Sequence, residues 1–365
     1  MSILKFVKSG IKRLVSTLKY RWDVYKKLKS IKHSIAVSRD NIPKLSSEQR
    51  KAIREYWEKY GIDMSYEWHK FLYAKTGKEM PEFVSKLAFN HNVRPYMNDR
   101  RLAGAWSDKA YLDYFLHDVR TPKCVIRNVS GRFLDGEFQI ISAEESLRIM
   151  NRYDELVIKP TLYTHTGIGV RLLHKPYDLE DIKKQYIKDY VIQLPLHQHK
   201  DMSALNASSV NTIRVNSVLL ETEAYVMSAF VKVGEAGQFA DNGGSNRFFI
   251  GIDVETGAMN DYAIDHSMNK YTAIPSGYLF AGKQIPAFAL VCEAVCKAHK
   301  CIPHFGFAFW DVCVCDDGEP AIVEVNLRNP DSTIAQATGE PFLGKYTEEI
   351  LRFISDNKTG SAQEK

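Results

Sequence analysis

Phe309-Trp310-Asp311-Val312-Cys313-Val314-Cys315-Asp316-Asp317-Gly318-Glu319-Pro320-Ala321-Ile322-Val323-Glu324-Val325-Asn326-Leu327-Arg328 is the stretch that decides the fold. Two runs rich in branched and aromatic apolar residues flank Asp316-Asp317-Gly318, a turn signal between strands. The spacing predicts a hairpin with Asp311 and Glu324 on adjacent strands. Glu324 and Asn326 are two apart, so both project from one face, with Arg328 two further on. Two carboxylates and an amide oxygen converging on one spot make a hard-oxygen set, suited to magnesium held together with substrate phosphates. Arg328 is placed to neutralise charge that builds during phosphoryl or acyl transfer. A merely exposed polar strand fits less well, because the preceding Ala321-Ile322-Val323 is apolar.

Upstream of the hairpin the pattern is mostly strand: 212–220, 224–232 and 248–253, then one well-patterned helix at about 286–299. Earlier, a helix from Asp108 to about His117 leads to strands at 123–128 and 137–141, a helix from Ala143, and strands at 156–159, 170–174 and 190–194. Strand and helix mix without strict alternation, which predicts an α+β fold rather than a doubly wound parallel sheet. Within this region Lys159-Pro160 leaves a strand and is followed by Thr164-His165-Thr166-Gly167-Ile168-Gly169. A lysine beside a flexible loop with hydroxyls and backbone amides can hold nucleotide phosphates. The lysine precedes the glycines, so this is not the Walker order, and an ordinary strand-turn-strand would read the same. Asp108-Lys109 by itself is a capped helix start.

Taken in this order, Asp108-Lys109, Lys159-Pro160 with Gly167 and Gly169, the strand 190–194, and Asp311…Glu324-x-Asn326-x-Arg328 resemble the ATP-grasp superfamily. Ser209-Val210-Asn211-Thr212-Ile213-Arg214-Val215, Asp241-Asn242-Gly243-Gly244 and Phe309-Trp310-Asp311 look like its sugar-transfer-associated branch, found with polysaccharide biosynthesis. The resemblance covers roughly 106–331. It implies two α+β subdomains clamping ATP, preceded here by a helical region. Lys109 and Lys159 would contact phosphates, and Thr164, His165, Thr166, Gly167 and Gly169 would close over them. Gln193, Leu194 and Leu196 would frame the adenine, with Gln193 standing where a glutamate is common. Asp311, Glu324 and Asn326 would carry magnesium. Arg214 and Arg328 would stabilise an acyl-phosphate and the species derived from it. Lys232 stands where relatives often carry arginine, a point charge instead of a bidentate fork. The implied reaction is ATP-dependent amide formation through an acyl-phosphate. The expected partners are an acidic sugar or sugar nucleotide, such as a uronic acid, and an amino acid or other amine. A sugar kinase on the same fold and a non-catalytic nucleotide-binding scaffold at a membrane stay open. His266 reads either as a loop histidine or as a substrate contact.

Composition bounds the rest. Of 365 residues, 45% are hydrophobic and 25% charged, which excludes a largely disordered or collagen-like chain. The formal charge of +5 is unevenly placed: residues 1–33 hold ten Lys/Arg against Asp23, a net +9, which leaves −4 for residues 34–365. In that arm Leu4, Val7, Ile11, Leu14, Leu18, Trp22 and Tyr25 recur at helical spacing. An amphipathic helix is expected there, either on an anionic membrane surface or packed on the protein body, and nucleic-acid binding is not expected. Charges interrupt any apolar run, so no secretory signal or spanning helix is expected. Six cysteines without such a signal point to free thiols in a reducing cytoplasm and not to a zinc site, since Cys292/Cys296 and Cys313/Cys315 lack knuckle spacing. The expected organisation is an arm (1–33), a helical region (34–105), a small subdomain (106–192), a large subdomain with the metal site (193–355) and a polar tail (356–365). The expected location is cytoplasmic, at the inner face of the membrane if the arm binds it.

Overall fold

The computed structural model describes residues 44–99, 101–162, 167–238, 247–328 and 330–360, together with Trp22, Lys26, Lys29 and Ile42. Most of the basic arm, Thr164, His165, Thr166 and the Asp241–Gly244 stretch therefore lie outside the described residues. The chain divides into two compact units, residues 1–94 and 95–365. The break precedes the expected boundary at 105 because Asn98 belongs to the second unit. Its amide donates to Phe307 O and accepts from Phe307 N, both at 2.8 Å.

The first unit is helical where described. Ser46 and Gln49 close a reciprocal capping box at the start of α1 (Ser47–Glu58), which satisfies donors the helix cannot. The second helix, α2 (Tyr66–Thr76), ends at Gly77, whose φ of 74° suits a residue without Cβ. Ile53, Trp57, Phe71, Leu72, Phe83, Val84 and Phe89 are buried within this unit.

The second unit holds two antiparallel sheets. The smaller is built from β1 (Cys124–Val129), β2 (Arg132–Leu134), β3 (Ile140–Ile141), β4 (Glu155–Pro160), β5 (Arg171–His174) and β6 (Tyr190–Gln193), in the order β3-β2-β1-β6-β4-β5. Helices α3 (Ala143–Met150) and α4 (Leu179–Tyr186) give Met150, Leu179 and Ile182 to its core beside Ile126, Leu156, Ile158 and Ile192. Ser142 and Asp178 cap these helices with side-chain oxygens.

The larger sheet runs β11-β10-β9-β8-β7-β12-β13, from β7 (Ile213–Leu220), β8 (Glu223–Val233), β9 (Phe248–Ile252), β10 (Met259–Asp265), β11 (Lys270–Tyr271), β12 (Phe307–Val314) and β13 (Pro320–Asn326). Helix α5 (Phe288–Lys300) lies against β7, β8, β12 and β13, and buries Val291, Val295 and Ala298. Two further helices follow the sheet: α6 (Ser332–Ala337) and α7 (Thr347–Gly360). The six cysteines are free thiols. Among the described residues no helix is long and apolar enough to cross a membrane.

Candidate functional site

The hairpin forms as its sequence predicts, with Gly318 at φ 84° in the turn. Its register sets Asp311 opposite Glu324 and Phe309 opposite Asn326, while Arg214 of β7 faces Asp311 from the other side. Acid, acid and guanidinium thus form one row across three strands. Asp311 is 2% exposed. Arg214 grips it through Nε to Oδ1 at 2.6 Å and Nη2 to Oδ2 at 3.3 Å, and Lys232 Nζ also meets Oδ2, at 2.8 Å. Glu324 takes Lys109 Nζ at 3.1 Å and the Asn326 amide at 2.9 Å. Lys159 Nζ points at Val323 O, 3.5 Å away, so the small sheet sends its lysine to the strand that bears Glu324.

These residues line one cavity of about 420 Å³, a volume suited to a small-molecule ligand. Five basic side chains (Lys109, Lys159, Arg214, Lys232, Arg247) face three acids (Asp311, Glu324, Asp331) among the described lining residues. The surplus of positive charge favours a polyanion. Burial pushes the Lys159 ammonium down to about 8, with Lys109 adding to the effect against Glu324. Burial alone would raise the Glu324 carboxyl, but Lys109 and Lys232 outweigh it and hold the group well below the usual carboxylate range. Burial also opposes the Arg214 charge, and Asp311 with Asp331 more than restores it.

On the Lys159 side the walls are apolar: Pro122, Val157, Leu194, Pro195, Leu196, Val210 and Val323 make a slot suited to a planar base. Gln193 lines it, and its Nε2 donates to Pro122 O at 3.3 Å, which fixes the amide's orientation. Gly167, Ile168 and Val170 flank this side.

The structure thus brings Lys109, Lys159, Gly167, Gln193, Leu194, Leu196, Arg214, Lys232, Asp311, Glu324 and Asn326 to one cavity. Two further expected members, Gly169 and Arg328, are not among the described residues that line it. An added Cβ at Gly169 would come within 2.8 Å of the Pro160 ring. Arg328 lies past the end of β13, and its guanidinium rests over Gly104, 2.8 Å from where a Cβ would stand. The strand ends at Asn326, so the alternation that put Arg328 on the same face no longer applies. Asp331, Arg247 and Phe249 line the cavity without having been singled out from the sequence. Asp331 begins α6 but makes no side-chain cap, and instead takes Arg214 Nη1 at 2.7 Å. In the sequence it reads as one more helix-start aspartate.

The donor chemistry fits magnesium: Asp311, Glu324 and Asn326 offer hard oxygens on adjacent strands, the kind of ligand that ion takes beside phosphates.

Two antiparallel sheets around a basic cavity with a carboxylate pair at its floor define an ATP-grasp fold. The chain belongs to the sugar-transfer associated ATP-grasp family, whose model matches residues 88–351. No curated protein sequence matches it. Among solved structures it is similar to the VanG D-Ala:D-Ser ligase from Enterococcus faecalis, at 14% identity over 68% of this chain and 61% of that one, TM-score 0.43. It is similar to the ATP-grasp ligase PsnB complexed with minimal precursor, Mg and ADP, at 14% over 71% and 62%, TM-score 0.41. The D-alanine–D-alanine ligase from Bacillus anthracis complexed with ATP matches at 13% over 70% and 68%, TM-score 0.39. The chain spans about three fifths of the length of the first two.

Proposed function

We propose that this protein is an ADP-forming carboxylate–amine ligase. It would join the carboxylate of a uronic-acid-type sugar to an amino acid or other amine during surface-polysaccharide assembly. The observation that carries the reading is the Arg214–Asp311–Glu324 row, with Lys109, Lys159 and Lys232 converging on it. The sugar rests on the family's association with sugar transfer.

The chemistry follows from where the charges sit. A carboxylate oxygen is a poor leaving group, so the acid must first be converted to an acyl-phosphate. Lys109 and Lys159 would bind and orient the phosphates of ATP, holding the terminal phosphorus near the acceptor oxygen. That oxygen bonds to phosphorus as the bond to ADP breaks. The amine nitrogen then bonds to the acyl carbon, phosphate leaves with the electron pair, and the amine gives up a proton. Arg214 and Lys232, already oriented by Asp311, would meet the charge that develops on the phosphoryl and carbonyl oxygens without having to reorganise. Asp311, Glu324 and Asn326 would hold magnesium, which when bound supplies neutralisation of the phosphate oxygens. The Gln193 amide and the apolar slot would take the adenine.

The test is release of ADP and phosphate by the full chain across glucuronate, galacturonate, their UDP-linked forms and a set of amino acids. Both products should appear only when acid and amine are present together. Asp311→Asn and Glu324→Gln should each lower the rate by at least 10²-fold, as loss of a charge-stabilising group does. ADP without free phosphate would instead favour a sugar kinase, and wild-type rates in both variants would overturn the assignment of the acid pair.

A further inference from the structure

Across the large sheet, successive strands give side chains to the cavity wall in one row: Glu324 on β13, Asp311 on β12, Arg214 on β7, Lys232 on β8 and Phe249 on β9. His266, directly after β10, continues the series. The pairings Lys232 with Phe249 and Phe249 with Ile264 keep the row in register. The lysines and the apolar slot occupy one end of this row, and His266 marks the other. From β8 to β10 is two strand spacings, about 10 Å. The wall beyond Lys232, formed by Arg247, Phe249 and His266, is where an acyl group and the nucleophile that attacks it would lie.

His266 is held as a functional side chain is held. Its turn is pinned by Asp265, whose carboxylate takes Asn269 N (2.9 Å), Asn269 Nδ2 (3.0 Å) and the Tyr271 hydroxyl (2.9 Å). The imidazole packs edge-on against Phe249, with centroids 5.0 Å apart and planes at 84°. Among the described residues no hydrogen bond is made by its ring nitrogens, so the ring is placed by packing and keeps both nitrogens for a ligand. The charged groups around it are Arg247, Asp331 and its neighbour Asp265; burial, then Arg247, lowers its pKa while the two acids oppose this. The neutral form, able to accept a proton, is therefore favoured at neutral pH.

We propose that His266 is the proton acceptor for the attacking amine, at the acceptor end of the cavity beside Arg247 and Asp331. The inference rests on the ligase reading above. In the step, the amine nitrogen bonds to the acyl carbon and the carbon–oxygen bond to phosphate breaks. The first proton of the incoming ammonium passes to a His266 ring nitrogen and from there to water, which frees the lone pair; the departing phosphate takes the carbon–oxygen electron pair and the remaining N–H proton. Asp331, 41% exposed in its side chain with one oxygen on Arg214, stands on the same side and suits an incoming ammonium.

The experiment compares two nucleophiles for one acyl-phosphate. Hydroxylamine is already neutral at pH 7 and needs little help from a base, whereas an amino acid such as L-alanine, L-serine or L-lysine must lose a proton. The full chain with ATP, magnesium and the uronate panel is assayed for ADP with each nucleophile, in wild type and in His266→Gln. The amide-to-hydroxamate rate ratio should fall by about 10²-fold or more in the variant, the range expected for removal of a general base. The wild-type acid limb of the amine reaction, below the ordinary histidine value of 6.5, should vanish, and added imidazole should restore part of the ratio. An unchanged ratio, or equal loss with both nucleophiles, overturns the role of His266. Absence of hydroxamate from wild type with every acid instead brings down the ligase reading itself.

Discussion

Lys159 shows how one residue's environment sets a measurable property of the site. Its ammonium is 7% exposed, and burial with Lys109 nearby brings its pKa down to about 8. Only the charged form attracts phosphate, so ATP affinity is present below that value and lost as pH rises through it. The dissociation constant for ATP, measured by calorimetry from pH 7 to 9.5, should climb above pH 8 in wild type. Lys159→Arg should flatten the climb, because a guanidinium stays charged throughout. A flat wild-type profile would remove Lys159 from the phosphate site. This lysine was legible in the sequence because it leaves an apolar strand just before a glycine-bearing turn. Lys109 was not legible alone, since nothing in Asp108-Lys109 indicates that Glu324 lies 3.1 Å away. Its placement depends on Arg127, whose buried guanidinium bonds to Ala110 O (2.8 Å), Asp135 O (2.8 Å), Gly136 O (3.1 Å) and the Asp113 carboxylate, and lies over the Phe138 ring. Arg127→Met leaves those acceptors buried without a donor. It should cost about 3–5 kcal/mol in denaturant unfolding, while a loss below 1 kcal/mol would mean that the clamp contributes little.

Elements were read best where one physical signal dominated. The β12–β13 hairpin announces itself by two apolar runs around Asp-Asp-Gly. The helix expected from Asp108 to His117 forms only as a 3-10 turn (Lys109–Tyr111) and a short α-helix (Leu112–Phe115). The reason is tertiary: the Ala110 carbonyl accepts from Arg127 instead of continuing a helical ladder. Strand β10 escaped notice because Asn260 and Asp261 make Met259–Asp265 look like a loop, although Ala263 and Ile264 are buried. Helix α5 carries a prediction of its own. His299 is 0% exposed, with Nε2 donating to Phe305 O and Nδ1 accepting from the Ser217 hydroxyl, both at 2.8 Å. Ser217 in turn accepts from Trp310 Nε1 at 2.8 Å. Burial lowers this histidine from 6.5 to about 4, so between those values the unfolded chain binds the proton and the folded one does not. Stability is complete above pH 6.5 and falls towards pH 4, by about 3 kcal/mol from this one group. His299→Gln should be less stable at pH 7 yet lose that much of the acid slope in urea unfolding. An unaltered slope would mean that His299 is protonated in the fold.

At the scale of the whole molecule, the net charge of +5 divides into +9 on residues 1–33 and −4 on the remainder. The cavity's positive surplus is thus local, set by five basic residues drawn to one place in a body that is acidic overall. The arm has a different use in this reading: it would hold a ligase beside a membrane where lipid-linked sugars are assembled. Each lysine or arginine near an anionic leaflet contributes about 1 kcal/mol. About eight of the arm's ten would bring micromolar binding, since about 8 kcal/mol corresponds to that range, and the apolar stripe adds to them. Such attraction is screened over about 10 Å at 0.1 M salt and much more at 0.5 M. The full chain should therefore sediment with phosphatidylserine vesicles at 0.1 M salt, far less at 0.5 M, and not with purely zwitterionic vesicles. Deleting residues 1–33 should abolish sedimentation and leave ADP release on a soluble uronate and amine within about twofold, because the described lining of the cavity comes from residues 109–334. If the full chain ignores anionic vesicles, the apolar stripe is covered by protein instead. If the deletion stops turnover of the soluble pair, the arm serves the folded body and not a lipid surface.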